Sequence, residues 1–248
     1  MNKLVMLPDE SIEYMCARFA KKNDGTVRTV GSCTVIDGGT DFFYSRYILK
    51  APCGEEQLDA VIADKESHGR PELFGFTEEL AGENFAELLM RKGFKPLAVQ
   101  TGMLMNMAEY TPCENDGRIL RIGKEDVEEW IKVGELAFDK PGERETLNCL
   151  IADEKCEFYA YLENGRILGT LMGYPENGNY GIHEVATLPE CQGRGIGRAL
   201  TLHALNSAKE QGCEYASLQA SDAGKRVYLK CGMEAVSTLQ LWTVPPAK

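Results

Sequence analysis

Residues 183–200 read HEVATLPECQGRGIGRAL. Gln192-Gly193-Arg194-Gly195-Ile196-Gly197 lies there between an apolar run and a stretch carrying Ile196, Leu200, Leu202 and Leu205 at near-helical spacing. Glycines let a backbone come close to a ligand, and the first amides of a helix have no intrahelical partners. Together they make an anion site, above all for a phosphate. Two phosphate patterns are excluded by spacing. Gly193, Gly195 and Gly197 fall at every second position, which is not G-x-G-x-x-G, and no Gly-Lys-Ser/Thr follows as in a P-loop. Cys191 stands in the same turn, where a helix N-terminus can lower a thiol pKa, but simple packing accounts for it as well. No G-x-S-x-G or H-E-x-x-H occurs.

The elements around this turn can be read from pattern. A strand, 180–188, precedes it and a helix from Gly195 to near Gly212 follows. Residues 157–174 form two strands about Asn164-Gly165, a strong hairpin signal. RILRI (118–122) is a strand, 124–138 a helix, 214–221 a strand, and DAGKRVYLKCGM a short helix ending at Gly232. AVSTLQLWTV then closes the sheet of this half. The alternation predicts a mixed α/β sheet with helices on both faces. In the other half, 11–22, 55–69 and 83–94 read as helices, and 26–37, 42–49 and 72–76 as strands.

Two stretches are similar to one another. LLMRKGFKPLAVQTGMLMNM (88–107) and VYLKCGMEAVSTLQLWTV (227–244) align with Gly93 on Gly232, Phe94 on Met233 and Leu89 on Tyr228. Each reads as a helix end, a glycine suited to a left-handed C-terminal position, then two short strands. TPCENDG (111–117) has linker composition. The expected division is therefore residues 1–112 and 118–248.

Bulk composition narrows the function classes. The chain has 248 residues, 44% hydrophobic and 26% charged, which suits globular domains with real cores. Net charge is −11, from 38 acidic and 27 basic residues, a field that repels nucleic-acid backbones and is compatible with a cationic acceptor such as an amine. Nine cysteines without C-x-x-C and only three histidines argue against a metal site or a disulfide framework. No run approaches the roughly 20 apolar residues of a membrane span. Pro8, Asp9 and Glu10 come too early for a signal peptide, so the cytoplasm is the expected location.

TLPECQGRGIGRAL resembles the acyl-CoA-binding motif of the GNAT superfamily of N-acyltransferases, Gln/Arg-x-x-Gly-x-Gly/Ala after a strand and an x-Pro-x-x step. Thr187, Pro189, Gln192, Gly195 and Gly197 are in place. SDAGKRVYLKCGM resembles the family's second motif, with Ser221, Gly224, Val227, Tyr228, Gly232 and Met233. Ser221 stands where Asn is common, and Met233 where Phe is common. The resemblance covers about residues 118–244. It implies two tandem GNAT-like domains, each a twisted, mostly antiparallel sheet flanked by helices. The first would be degenerate, because it has no such glycine turn, DAVIADKESHGRPELFGF occupying the region, and Leu89 opposite Tyr228.

The resemblance also implies a chemistry: direct acetyl transfer from acetyl-CoA to a primary amine of a small molecule or peptide, with no metal. The backbone edge of Val185, Ala186, Thr187 and Leu188 would take the pantetheine arm as a pseudo-strand. Gln192, Gly193, Arg194, Gly195, Ile196, Gly197 and Arg198 would hold the pyrophosphate end, with Ser221 completing the cofactor-binding set. Tyr228 is the implied general acid for the leaving thiolate. Glu184 is the first choice of base, with His183 or a water chain as alternatives. Many family members place the acid near the position of Gly181, and strand parity would then exclude Glu184 unless a bulge shifts the register. A non-catalytic acyl-CoA sensor or pseudo-enzyme is the rival reading.

Overall fold

The computed structural model describes residues 3–39, 45–141 and 143–246. Contacts divide the chain into two compact units, Met1–Gly102 with Ser237–Lys248, and Met103–Val236. The first contains α1 (Lys3–Lys22), β1 (Thr26–Val30), β2 (Cys33–Asp37), β3 (Arg46–Leu49), α2 (Glu55–His68), β4 (Leu73–Thr77) and α3 (Phe85–Arg91). β5 (Lys95–Asn106) crosses into the second, which holds β6 (Ile119–Arg121), α4 (Val127–Phe138), α5 (Arg144–Leu150), β7 (Glu157–Glu163), β8 (Arg166–Glu176), β9 (Asn179–Thr187), α6 (Ile196–Glu210), β10 (Tyr215–Ala220) and α7 (Asp222–Lys230). β11 (Glu234–Thr243) returns to the first.

Each unit is a mixed α/β layer, mostly antiparallel, flanked by helices. The order in the first is β1-β2-β3-β4-β11, with only β3 and β4 parallel. In the second, β10-β9-β8-β7-β6 follow beside the end of β5, and β9–β10 is the parallel pair. β1-β2-β3-α2-β4-α3 thus repeats the order and pairing sense of β7-β8-β9-α6-β10-α7. The glycine match at the two helix ends holds in detail. Gly93 and Gly232 both have φ +88°. Phe94 N donates to Leu89 O at 3.0 Å, and Met233 N to Tyr228 O at 3.1 Å. One long strand follows each glycine, where two short ones were expected.

The final strands are exchanged. From Met103, β5 belongs to the second unit, beside β10. From Ser237, β11 belongs to the first and runs antiparallel to β4, from Leu239↔Thr77 to Thr243↔Leu73. The sequence expected this strand to close the sheet of its own half. Burial decides otherwise: Trp242 and Val244 join Phe74, Phe76, Phe85, Leu89 and Phe94 in the core of the first unit. The division therefore falls at Gly102 and Ser237 and not at the linker-like 111–117.

Local departures have local causes. α1 begins eight residues before the expected start at 11 and runs through Pro8, whose ring is buried near Gly102. Proline keeps a helical φ and loses only one hydrogen bond, so packing can carry it. β3 starts at Arg46; residues 42–44 of the expected strand lie outside the described residues. The 157–174 hairpin forms as expected, with Asn164 (φ +53°) and Gly165 (φ +75°) at its turn. A second Asn-Gly turn, Asn177 (φ +50°) and Gly178 (φ +78°), joins β8 to β9.

Candidate active site

β9 leaves its parallel partner early. Asn179, Tyr180 and Gly181 pair with β10, and the parallel register ends there, while pairing with β8 continues to Thr187. The ladder with β10 does not reach Thr187, whose strand edge is open on that side. His183 pairs with Met172 and Ala186 with Thr170, so Glu184 and Val185 together oppose Leu171. This is a β-bulge, which bends a strand and increases its twist. Glu184 has φ +51°, a left-handed backbone that costs a non-glycine residue on the order of 1–2 kcal/mol.

The bulge settles which groups face where. Paired residues share a face and neighbours alternate. Gly169, Leu171, Ile182 and Thr187 face α6, where a Cβ on Gly169 would lie 2.6 Å from Ile196 Cγ2. Thr170, Met172, His183 and Ala186 occupy the other face. Leu188 N donates to Leu168 O at 3.0 Å, which makes Ala186 the next hydrogen-bonded partner of β8. The N–H and C=O of Thr187 between them point away from β8, to the open edge. Leu188 and Ala186 of the expected set thus direct their backbone toward β8, and Thr187 offers its own outward.

After Leu188 the chain makes a short turn, Cys191 N donating to Leu188 O at 2.8 Å, and enters the glycine segment. Gly193 (φ +78°) and Gly195 (φ +84°) are left-handed, and no atom lies within 4 Å of a Cβ built on either. Conformation, not crowding, demands glycine there. Ala199 N is the first amide of α6 bonded back to the turn, to Gly195 O at 3.0 Å. Among the described residues, the amides of residues 193–198 donate to no protein acceptor. That is an anion cradle in backbone form. Gly197 brings it beside the strand: its Cβ position lies 3.8 Å from Thr187 Oγ1.

The remaining expected residues sort by what they touch. Arg194 turns to Glu163, with Nη2 at 2.7 and 2.9 Å from the two carboxylate oxygens. Ile196 is buried in the α6 core, so only its backbone is available. Gln192 and Arg198 are exposed. Ser221 caps α7, its Oγ accepting from Gly224 N at 3.2 Å. Tyr228 is 8% exposed, and Gly224 makes room for its ring, a Cβ there falling 3.1 Å from Cε2. Burial pushes the Tyr228 phenol well above the usual tyrosine range, keeping it protonated. His183 is 7% exposed, and burial pulls its imidazole down to about 4, so it is neutral at neutral pH. Glu184 is half-buried. Among the described residues, no three His, Cys, Asp or Glu side chains converge as metal ligands, and no helix is long and apolar enough to cross a membrane.

The model of the Acetyltransferase (GNAT) family matches residues 124–233. Residues 124–233 are a GNAT domain. The match supports acyl transfer as the activity of this domain. Solved structures extend the likeness in fold beyond the GNAT domain. A GCN5-related N-acetyltransferase from Kribbella flavida superposes with a TM-score of 0.70 at 16% identity, covering 96% of this chain and 96% of its own. One from Sphaerobacter thermophilus gives 0.62 at 15%, covering 99% and 95%. A functionally unknown conserved protein from Staphylococcus epidermidis gives 0.64 at 16%, covering 90% and 95%. No curated protein sequence matches the chain.

Two features were missed in the sequence. Thr170 donates from Oγ1 to Glu184 O at 2.8 Å, and Glu163 engages Arg194. Neither belongs to a motif. The Asn177-Gly178 turn fixes where β9 begins.

Proposed function

We propose that the GNAT domain transfers an acetyl group from acetyl-CoA to a primary amine in one direct step. The observation that carries this reading is the pairing of an open β9 edge with unpartnered amides at residues 193–198. A thioester bearing a pantetheine arm and a pyrophosphate matches both: amides of the arm add to the Thr187 edge, and the phosphates take the amides of the turn. The amine nitrogen attacks the thioester carbon, and the carbon–sulfur bond breaks. The leaving thiolate takes its proton from Tyr228, which burial holds in the protonated form. Glu184 takes the ammonium proton, directly or through water. It is favoured over His183 by access, being half-buried beside the bulge where His183 is buried on the face opposite α6.

In this reading the first unit is a degenerate GNAT-like domain, supported by its repeated element order and by Leu89 at the place of Tyr228. Two measurements test the proposal. Acetyl-CoA should raise the melting temperature of the protein through its binding to the native state. Thiol release from acetyl-CoA across a panel of amines should show turnover with at least one of them. A melting shift with no thiol release from any amine would favour the sensor reading, and no shift at saturating acetyl-CoA would remove the cradle.

A further inference from the structure

Glu184 keeps a left-handed backbone although it is not glycine, and the bulge it forms lies between the residues paired with β10 and the Thr187 edge. Something must hold that conformation. Thr170 is fully buried on β8 and paired with Ala186, next to the bulge. Its hydroxyl donates to the carbonyl oxygen of Glu184 at 2.8 Å. A bulge interrupts the regular ladder, and here a side chain supplies a donor for the displaced carbonyl. The corresponding strands of the first unit, β2 and β3, pair without a register shift from Cys33↔Leu49 to Ile36↔Arg46.

We infer that Thr170 is a positioning residue of the acyl-CoA site: its hydroxyl clamps the Glu184 bulge and thereby sets the register in which the Thr187 edge meets a pantetheine arm. This rests on the acyl-CoA reading above. The clamp acts on the strand edge and not on the glycine turn, so it discriminates between the two ends of CoA. A ligand with pantetheine depends on it. The pyrophosphate-bearing adenosine nucleotide fragment of CoA, which lacks pantetheine, does not.

The test compares T170V, which keeps the shape and removes the hydroxyl, with T170S, which keeps the hydroxyl. Calorimetric binding of CoA and of the nucleotide fragment is measured for each protein, with amide hydrogen exchange over residues 182–188 as a direct readout of the bulge. T170V is expected to bind CoA about tenfold more weakly, the order expected for one buried hydrogen bond, with fragment binding unchanged. T170S is expected to restore CoA binding, and exchange is expected to rise at residues 184–187 in T170V alone. Equal weakening of both ligands, or T170S as poor as T170V, would reduce Thr170 to a packing residue and overturn the inference. Unchanged exchange in folded T170V would overturn the clamp itself. If wild-type protein binds neither ligand, the acyl-CoA reading fails, and the exchange arm still decides whether Thr170 holds the bulge.

Discussion

In the first unit β3 stays beside β4 from Arg46↔Leu73 to Ile48↔Gly75, three of its four residues, with no bulge against β2. In the second, β9 parts from β10 after Gly181 and bulges at Glu184. The connection from strand to helix differs in the same sense. Lys50-Ala51-Pro52-Cys53-Gly54 enters α2 with Gly54 at φ −111°, an ordinary extended backbone, whereas Gly193 and Gly195 are both left-handed. Where the second unit buries Tyr228, the first buries Leu89 among phenylalanines. One element order therefore supports two outcomes. A closed pair of strands with an apolar helix end makes a core, and a bulge, two left-handed glycines and a phenol make the site proposed above.

The strongest way to break this contrast is at the two matched helix positions. Tyr228→Phe should lower kcat by about 100-fold or more if the phenol is the general acid, while CoA affinity measured by calorimetry stays near wild type. Leu89→Met should leave kcat unchanged. A Tyr228→Phe enzyme with full turnover under chemistry-limited conditions would make the two positions equivalent.

The units should also answer pH in opposite directions. In the first, burial lifts Asp9 to about 6 from 3.8, against the lowering effect of the Thr77 hydroxyl and of Arg46. The native state holds that proton more tightly, so this contribution is full below pH 3.8 and is lost as pH rises to about 6. In the second, burial takes His183 from 6.5 to about 4, so its contribution is full above pH 6.5 and is lost as pH falls to about 4. Each effect is on the order of 3 kcal/mol. Asp9→Asn should stabilise the first unit above pH 6, with the gain fading toward pH 4. His183→Gln should flatten the acid slope of the second. Amide hydrogen exchange resolves the units and shows whether the slopes have opposite signs.

The glycines offer a smaller contrast. Gly195→Ala forces a side chain into a left-handed backbone and should weaken CoA binding by about tenfold, from a strain of roughly 1–2 kcal/mol. Gly54→Ala meets open space at an accessible φ and should change stability by less than about 0.5 kcal/mol. Comparable losses in the two variants, by melting and by CoA titration, would erase the distinction. The smallest effect concerns Glu163. Its pair with Arg194 is partly exposed and adds little to stability. Glu163→Gln should release Arg194 toward the cradle, tighten CoA binding by up to about fivefold and steepen its salt dependence. Titrations at low and high salt would show it.

The cradle was legible in the sequence because glycine identity is itself a statement about backbone conformation: Gly193 and Gly195 could be placed before any coordinate. The Asn164-Gly165 hairpin was legible for the same reason. The bulge was not, since Glu184 is no turn former and its left-handed backbone is held by Thr170 from another strand. Parity alone raised the question of Glu184 and could not answer it. The equivalent of the glycine turn in the first half lies by element order at 50–54, before α2, and not in the expected 59–76. The fate of the last strand was hidden too. Its apolar residues suit either sheet, and only packing of Trp242 and Val244 against the phenylalanines decides between them.

That last strand sets a schedule for biosynthesis. The first unit to leave the ribosome lacks β11 until everything through Val236 has been made. β4 must wait with an unpaired edge and the Trp242 place in its core unfilled, a state in which nascent chains attract chaperones or one another. The second unit, continuous from Met103 to Val236, can fold while the first is still incomplete. A premature stop just before Ser237 would therefore damage the end of the molecule that was synthesised first.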